Sequence, residues 1–374
     1  MKTKLCLLFT SLALFASRQP LIAQLTLSIT PNGNQIVLLW PTTVTNWILQ
    51  STTNLASPNW VTVNNAALVG ASNAFPVTAF TVTNTWFANF YRLFHNNTPI
   101  TTSDGMTLIP AGSFTMGDNL NGRSDAIPTV SVTVSAFYMD IYLVSYSQWE
   151  TVYSWATSHG YGFVHAGAGK AVDHPVYNVD WYDCVKWSNA RSQQAGLTPV
   201  YYTDGGLMQV YTNGEAAPYV NWAANGYRLP TEAEWEKAVR GGVSGQRFPW
   251  GNTISESQAN YYGAAASYSY DLGPNGYNPT YATGSTPYTN PVGSFEPNGY
   301  GLYMNGNCQE WCWDWYEAPY LGGIDPRGPE AGSSRVVRGG RWNYYASAVR
   351  CANRANFTPT HIDIGYCFRC VRAF

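Results

Sequence analysis

Cysteine is the residue type in this chain with the widest range of chemistry open to it. Thiols pair as disulfides, bind soft metal ions and carry redox reactions. Six cysteines lie downstream of the N-terminal leader described below: Cys184, Cys308, Cys312, Cys351, Cys367 and Cys370. An even number in an exported chain indicates disulfides, although six cysteines allow many pairings and the sequence does not choose among them.

Two of these cysteines, Cys367 and Cys370, have the C-x-x-C spacing of redox and zinc sites. They lie in GYCFRCVRAF, which predicts a terminal strand rather than the start of a helix. Residues three apart on a strand point to opposite faces. We therefore expect the two cysteines to contact different partners, and we predict neither a redox motif nor a zinc site here.

Histidines and carboxylates offer no arrangement typical of catalysis. The histidines are scattered without the spacing of a metal site: His95, His159, His165, His174 and His361. Helix capping and internal ion pairs account for the motif carboxylates: Asp180, Asp183, Glu232, Glu234 and Glu236. Bidentate pairing with such carboxylates is predicted for the motif arginines: Arg228, Arg338, Arg350, Arg354 and Arg369.

The length and composition of the chain limit the classes of protein to which it can belong. The chain has 374 residues, of which 45% are hydrophobic and 11% charged, with a formal net charge of −2. The apolar content suffices for a large core, and the length predicts two domains. Because the sequence shows no excess of basic residues, nucleic acid and anionic lipid are excluded as partners. Abundant Gly, Pro, Trp and Tyr predict a loop-rich fold pinned by aromatic packing.

The N-terminus predicts a cleaved signal peptide over residues 1–23. Lys2 and Lys4 supply positive charge, residues 5–16 form a short apolar run, and Leu21-Ile22-Ala23 offers a cleavage site. The run is too short to span a bilayer, and no later segment is long enough either. A secreted or periplasmic protein without a membrane span is therefore predicted.

The secondary-structure elements that must position these cysteines, histidines and carboxylates fall into two regions of the chain. Residues 24–95 contain six short alternating runs separated by turns, which predict a small all-β sandwich without a catalytic constellation. Residues 96–103 read as a polar linker. From residue 104 the pattern changes to α+β: short strands are followed by helices that begin near Ser147, near Asp180 and after Thr231. Ser147 with Glu150, and Thr231 with Glu234, have capping-box spacing.

Ten motifs in the second region occur in an order that resembles the formylglycine-generating (sulfatase-modifying factor) family. They include MTLIPAGSFTMG, HPVYNVDWYDCVKW, GYRLPTEAEWEKAVRGG, FPWGN, PVGSFEPNGYGLY, GNCQEWCWDWY and RVVRGGRWN. The resemblance covers residues 104–374. It implies a mixed α+β domain with little regular structure, related to C-type lectin-like folds.

The resemblance also implies where copper would bind. Family members oxidise a sulfatase cysteine with dioxygen and with copper held by two thiolates, which lie a few residues after a Gly-Gly-Ser motif. The corresponding stretch here, residues 339–350, contains no cysteine and has Arg341 in place of the serine. Copper is therefore not expected at that position.

For the remaining cysteines, the resemblance implies structural roles. The family's disulfide partner of Cys351 falls on Val239, and that of Cys370 falls on Ser188. Cys184 lies one helical turn before Ser188, so a bridge between Cys184 and Cys370 is expected.

The resemblance further implies structural calcium, which takes oxygen ligands. Asn260 and the Tyr261 carbonyl match the first site, completed by Asn275-Gly276-Tyr277 or by Asp271. The matching residues of the second site are Gly306, Cys308 (through its carbonyl) and Glu310, with Asn305 replacing a lost side-chain ligand.

Three functions follow as hypotheses. The first is a non-oxidase binding or scaffolding protein that offers a groove to a peptide, protein or glycan. Its groove candidates are Arg341, Trp342, Asn343, Tyr344 and Tyr345, for which core packing is the competing interpretation. The second is a formylglycine-generating oxidase with a displaced metal site, and the third is a noncopper enzyme on the same fold. The missing cysteine pair favours the first.

Overall fold

The computed structural model describes seven strands within residues 28–95, and residues 101–374 apart from 121–123 and 305. The predicted signal peptide and most of the predicted linker lie outside the described residues. Contacts divide the chain into two compact units between residues 98 and 99.

The N-terminal unit consists of short antiparallel strands in two sheets. The strands are β1 Ser28–Asn32, β2 Gln35–Pro41, β3 Trp47–Thr52, β4 Val61–Thr62, β5 Ala67–Ser72, β6 Phe75–Thr83 and β7 Phe90–His95. One sheet has the order β1-β2-β6-β5 and the other β4-β3-β7. The prediction of short β-strands is confirmed, but β5 was missed because its sequence, ALVGAS, does not alternate apolar and polar residues.

The C-terminal unit is α+β and rich in loops, as predicted. Its strands are β8 Met106–Ile109, β9 Gly112–Met116, β10 Val130–Val134, β11 Phe137–Asp140, β12 Tyr201–Tyr202, β13 Tyr219–Val220, β14 Tyr262–Gly263, β15 Gly276–Tyr277, β16 Gln309–Trp315, β17 Gly323–Ile324, β18 Arg335–Arg338, β19 Arg354–Phe357, β20 Tyr366–Cys367 and β21 Val371–Ala373. The larger sheets are β17-β10-β9, β21-β11-β8 and β19-β18-β16-β20. The last strand of the chain, β21, pairs with β11 near the start of the unit.

Three helices complete the unit: α1 Tyr146–Ser158, α2 Trp181–Gln194 and α3 Glu232–Arg240. The predicted caps of the second and third are confirmed. Asp180 accepts from the Asp183 N–H at 2.7 Å, and Thr231 forms a reciprocal capping box with Glu234. The prediction for α1 is wrong by two residues. Its N-cap is Ser145, which accepts from the Gln148 N–H, because the chain is already helical at Tyr146.

Buried ion pairs hold the loops to the helices and strands, as predicted for the motif arginines. Arg354 binds Glu232 through Nε and Nη2 at 2.6 and 2.7 Å, and Arg228 binds Glu234 through both terminal nitrogens. Arg369 binds Glu310 in the same bidentate way, whereas Arg338 binds Glu236 and Arg350 binds Asp118 through a single terminal nitrogen, so the predicted bidentate geometry is wrong for these two. Fork geometry makes such pairs strong and directional. They fix an irregular backbone that has few long strands.

Tryptophan dominates the packing of the main core. Trp149 and Trp187 stack with ring centroids 5.9 Å apart, and Phe368 packs edge-on against both. This core therefore joins α1 and α2 to the C-terminal segment. In the part of the chain that the structure describes, no helix is both long and apolar enough to cross a membrane.

Candidate ligand-binding surface

The segment after β18 makes a tight turn, and the residues of the candidate site follow directly after it. Gly340 has φ +68°, and a Cβ there would lie 2.9 Å from the backbone carbon of Ala348. Glycine is therefore required by both the left-handed conformation and the close approach. The next residue, Arg341, is buried and donates to Asp363 at 2.6 Å. The turn is thereby fixed before the aromatic residues begin.

Five tyrosines linked by ring contacts extend from Trp342 and form a surface that we call the tyrosine patch. Its members are Tyr262, Tyr268, Tyr277, Tyr288 and Tyr345. Tyr277 and Tyr288 contact the Trp342 ring at centroid distances of 5.6 and 5.4 Å. The exposed rings are Tyr345, at 49%, and Tyr277, at 41%. Rings with one face packed and the other wet are well suited to binding a ligand.

Backbone pairing brings the patch together from separate segments. Tyr262 of β14 lies opposite Tyr277 of β15 in the strand register. The Tyr262 N–H also donates to the Tyr344 carbonyl at 2.9 Å, and Tyr262 forms a bridge with Tyr345. The patch therefore rests on hydrogen-bonded backbone from three parts of the chain.

The structure separates the predicted groove residues into different roles. Trp342 is 3% exposed and packs beneath the patch. Asn343 and Tyr344 are half-buried, and the Arg341 guanidinium stacks on the Tyr344 ring at 4.1 Å. Only Tyr345 of the five has an exposed side chain. The patch members outside the predicted segment were missed, because sequence spacing does not indicate that they meet.

Two polar atoms at the patch have no hydrogen-bond partner among the described residues. They are the buried Trp342 Nε1 and the buried Asn343 Oδ1. An unsatisfied buried donor or acceptor costs about 1–3 kcal/mol, so such groups are normally paired with protein, water or ligand. Both atoms lie below the surface, so the part of the patch that a ligand can contact is the exposed Tyr345 and Tyr277 rings.

The residues predicted for the first calcium site lie next to the patch. The Asn260 amide donates to the Tyr288 carbonyl at 2.8 Å, and the Asn275 amide oxygen accepts from the Ala265 N–H at 3.0 Å. Asp271 accepts from the Tyr261 hydroxyl and from the Ala264 and Gly273 N–H groups. Asp271 is thereby satisfied within the protein. Its role in the structure is to hold the loop.

A carboxylate that sequence reasoning missed lies beside Asp271. Burial, followed by the charge of Asp271, raises the pKa of Glu256 to about 7. Its Oε1 atom is buried without a hydrogen-bond partner in the described structure. Nothing in the local sequence indicates this, because Glu256 lies in a turn of small polar residues.

At the second predicted calcium site, Gly306 forms a bridge with Asn260, so the two predicted sites adjoin. The Glu310 carboxylate accepts from Arg369 on both oxygens, at 2.7 and 3.1 Å. Cys308 is fully buried. Asn305 lies outside the described residues.

All six downstream cysteines are buried free thiols. Cys308 and Cys367 lie against each other, and Cys184 and Cys370 share the main core. Cys367 and Cys370 thus have different neighbours, as expected, but the prediction of a single terminal strand is wrong: the strand is interrupted between β20 and β21, and Cys370 lies in the interruption. Ser188 Oγ lies 3.5 Å from Cys370 Sγ, and Val239 packs in one core with Cys351, but the expected bridge between Cys184 and Cys370 is absent, because both are free thiols in the structure.

Burial makes these thiols poor nucleophiles and poor metal ligands. It raises the pKa of Cys370 to about 12 and that of Cys351 to about 11. Burial likewise raises the pKa values of Cys184, Cys312 and Cys367. Because the thiolate is the reactive and ligating form, these five cysteines are inert near neutral pH.

His165 lies in a cluster of possible metal ligands that the spacing of histidines in the sequence did not indicate. Its ring approaches Asp180 and Asp183, and the three offer ligand atoms within 4.8 Å of one another. The sequence does not indicate this group, because His165 reaches the first turn of α2 only through the path of the loop after α1.

The fold and the site define an α+β domain of short sheets and long ion-paired loops, with an aromatic surface. A family model described as the sulfatase-modifying factor enzyme 1-like domain matches residues 91–374, beginning upstream of the boundary predicted at residue 104. The chain belongs to this family.

Relatives and solved structures agree with this assignment. Formylglycine-generating enzyme from Bos taurus is 36% identical over 287 residues, covering 71% of this chain and 74% of the relative. The enzyme of that name from Thermomonospora curvata is 34% identical, covering 71% and 92%. The chaperone protein LppX of Paenibacillus barcinonensis is 33% identical, covering 65% and 80%. Treponema denticola variable protein 1 superposes with a TM-score of 0.56 at 28% identity, covering 72% of this chain and 95% of that structure.

Proposed function

We propose that this chain is an exported binding protein that holds an extended polypeptide segment on the tyrosine patch, without oxidase activity. The observation that carries the proposal is the patch itself. Exposed Tyr345 and Tyr277 rings lie beside the unpartnered Trp342 Nε1 and Asn343 Oδ1. A peptide supplies side chains that stack on the two exposed rings and a backbone that can follow the row of tyrosines.

The cysteine chemistry supports a non-oxidase. Residues 339–350, where the family resemblance places two copper ligands, contain no cysteine and contribute Tyr345 to the patch instead. Burial raises the pKa values of five of the six buried thiols: Cys184, Cys312, Cys351, Cys367 and Cys370. A soft metal ion therefore lacks the exposed thiolate pair that it needs.

A polypeptide ligand is favoured over a glycan by the relatives. Formylglycine-generating enzymes and a protein named as a chaperone are both at least 33% identical to this chain. Structural calcium at Asn260, Tyr261 and Asn275 belongs to the same proposal, because an ion there would stiffen the loops that carry Tyr262 and Tyr277. Export through the predicted leader would put the protein where millimolar calcium is common.

The test is binding of displayed peptides to the purified full chain. Selected peptides are labelled and titrated by fluorescence anisotropy against wild type, Tyr345→Ala and Tyr277→Ala. Each variant is expected to weaken binding about tenfold, which corresponds to about 1.4 kcal/mol. Tyr219→Ala is the matched control, because Tyr219 is 55% exposed but lies in β13. Equal effects of all three substitutions, or saturable binding of glycans alone, would overturn the proposal.

The second candidate function is formylglycine generation with a displaced metal site. One observation favours it: the mutual contact of Cys308 and Cys367, in a chain with enzyme relatives at 34–36% identity. Incubation with Cu(I), dioxygen and a cysteine-containing sulfatase peptide tests it. An aldehyde product that is lost in Cys308→Ser would establish the oxidase and reject the binding proposal.

A further inference from the structure

Three side chains meet at the N-terminus of α2, away from the residues of the tyrosine patch. Asp180 is the N-cap and Asp183 lies three residues later, so both carboxylates lie at the same end of the helix. Both side chains are fully buried, whereas His165 is 26% exposed. His165 Nδ1 lies 2.9 Å from Asp183 Oδ2 and 3.8 Å from Asp180 Oδ2.

The hydrogen bonds of the two carboxylates differ. Asp183 Oδ1 accepts from the Val164 N–H at 3.0 Å and lies 3.1 Å from Lys186 Nζ, while Oδ2 accepts from the His165 N–H at 3.1 Å. Asp180 Oδ1 accepts from the Asp183 N–H. Asp180 Oδ2 has no hydrogen-bond donor among the described residues while the carboxyl group is ionised, and its hydrogen bond with Glu215 needs a proton shared between the two carboxyl groups. A buried carboxylate oxygen without a donor is costly, and this one points toward the His165 ring.

The charges around Asp180 are also unbalanced. Lys186 lies against Asp183, so a single ammonium group faces two buried carboxylates. The side chain of Glu215, from a neighbouring loop, hydrogen-bonds with Asp180, so that a proton holds these two carboxyl groups together when no cation is bound. A cation at Asp180 Oδ2 would take the place of that proton and would also compensate the charge of Asp183.

We propose that His165, Asp180 and Asp183 form a site for a divalent transition-metal ion, such as Zn²⁺ or Mn²⁺. The donors are His165 Nδ1, Asp180 Oδ2 and Asp183 Oδ2. One imidazole nitrogen with carboxylate oxygens suits these ions, whereas Ca²⁺ takes oxygen ligands alone. Upon binding, His165 moves its ring proton from Nδ1 to Nε2, which leaves Nδ1 free to donate its lone pair.

The ion has a structural task at this position. His165 lies in the loop after α1, whereas the carboxylates begin α2, so coordination clamps the loop to the helix. The half-exposed imidazole provides the route of entry, and water can fill the remaining coordination positions. This role is independent of whether the tyrosine patch binds a peptide.

Cobalt is the probe for this site, because Co²⁺ bound by imidazole and carboxylate gives visible absorption bands. The metal-free full chain is titrated with Co²⁺, followed by competition with Zn²⁺ and with Ca²⁺. Wild type is expected to bind one Co²⁺, which Zn²⁺ displaces and Ca²⁺ does not. His165→Gln and Asp180→Asn are each expected to weaken Co²⁺ binding at least tenfold.

The controls separate loss of the ligand from loss of the fold. Asparagine caps helices as well as aspartate does, so Asp180→Asn keeps the start of α2. His174→Gln replaces another partly buried histidine, whose Nδ1 contacts Thr289, and is expected to bind Co²⁺ like wild type. Circular dichroism of each variant without metal checks that it is folded. Because the His165 side chain is partly exposed, His165→Gln is expected to disturb the packing little. Wild-type affinity in His165→Gln, or no Co²⁺ bound by wild type, would overturn the proposal.

Discussion

Glu236 of α3 and Arg338 of β18 form an ion pair in which both side chains are fully buried. Glu236 also accepts from the Gly117 N–H at 2.7 Å and from Arg240. Arg338 donates in addition to the carbonyls of Asn353 and Cys351. The pair thus connects one helix to several loops at once.

Breaking this pair from one side is expected to be strongly destabilising. Arg338→Met leaves the Glu236 charge buried with only Arg240 beside it, and such changes cost about 3–5 kcal/mol. Urea denaturation of the full chain measures the loss. Arg372→Met is the matched control, because Arg372 meets Asp104 at a half-exposed site and should cost no more than about 1 kcal/mol. Equal losses of unfolding free energy in both variants would contradict the expectation that a buried ion pair is more costly to break than an exposed one.

Glu236 also predicts loss of stability in acid. Burial alone would raise its pKa, but the charges of Arg240 and Arg338 outweigh burial, and the pKa is lowered from 4.5. The native state therefore binds this proton less readily than the unfolded state does. Its contribution is present above pH 4.5 and is lost as the pH falls through the native pKa. The stability gap between wild type and Glu236→Gln should narrow progressively below pH 4.5, measured by denaturation at each pH.

Asp314 predicts the opposite trend at higher pH. Burial, followed by the charge of Glu232, raises its pKa from 3.8 to about 8. The native state binds this proton more tightly than the unfolded state, so wild-type stability falls as the pH rises from about 4 to about 8. Asp314→Asn keeps an oxygen for the Glu232 N–H, which is 2.7 Å away, and removes the titration. The variant should therefore gain stability relative to wild type between pH 5 and pH 8, and a constant difference would contradict the assignment.

The capping box of α3 gives a smaller, local prediction. Thr231→Ala removes the acceptor for the Glu234 N–H and is expected to cost about 1 kcal/mol. Thr231→Ser keeps the hydroxyl and should recover most of that loss. Thermal denaturation followed by circular dichroism measures both variants. An alanine variant as stable as the serine variant would show that the cap contributes nothing.

The contact between Cys308 and Cys367 predicts a disulfide in protein folded under oxidising conditions. Peptide mapping without reductant should recover the two cysteines linked. Closing a loop of this length stabilises by about 4 kcal/mol in the chain-entropy model, so the reductant should lower the denaturation midpoint of wild type. Cys308→Ser should abolish that response. Recovery of Cys308 linked to Cys312 would contradict the packing described here.

Local signals in the sequence predicted the local structure well. Thr231 with Glu234, and Asp180 with Asp183, determine where two helices begin because each cap involves residues three apart. The arginine–carboxylate pairs were predicted as a group, but their partners were not, since Arg338 and Glu236 are about a hundred residues apart. Motif order identified the family despite this.

The parts that sequence reasoning missed depend on loops. His165 meets Asp183 only because the chain after α1 folds back, and no periodicity encodes that return. The tyrosine patch has the same origin, since Tyr262, Tyr277 and Tyr345 lie in separate segments joined by backbone pairing. Candidate sites on irregular backbone therefore have to be found in three dimensions.

The pairing of β21 with β11 has a consequence for how this protein is made. The residues that complete the sheet of β8 and β11 lie about 230 positions later in the chain, and Arg369 donates to the carbonyls of Asp140 and Ile141. A nascent chain cannot close this domain until those late residues have been synthesised. The early strands therefore wait for their last neighbour while most of the domain is being made.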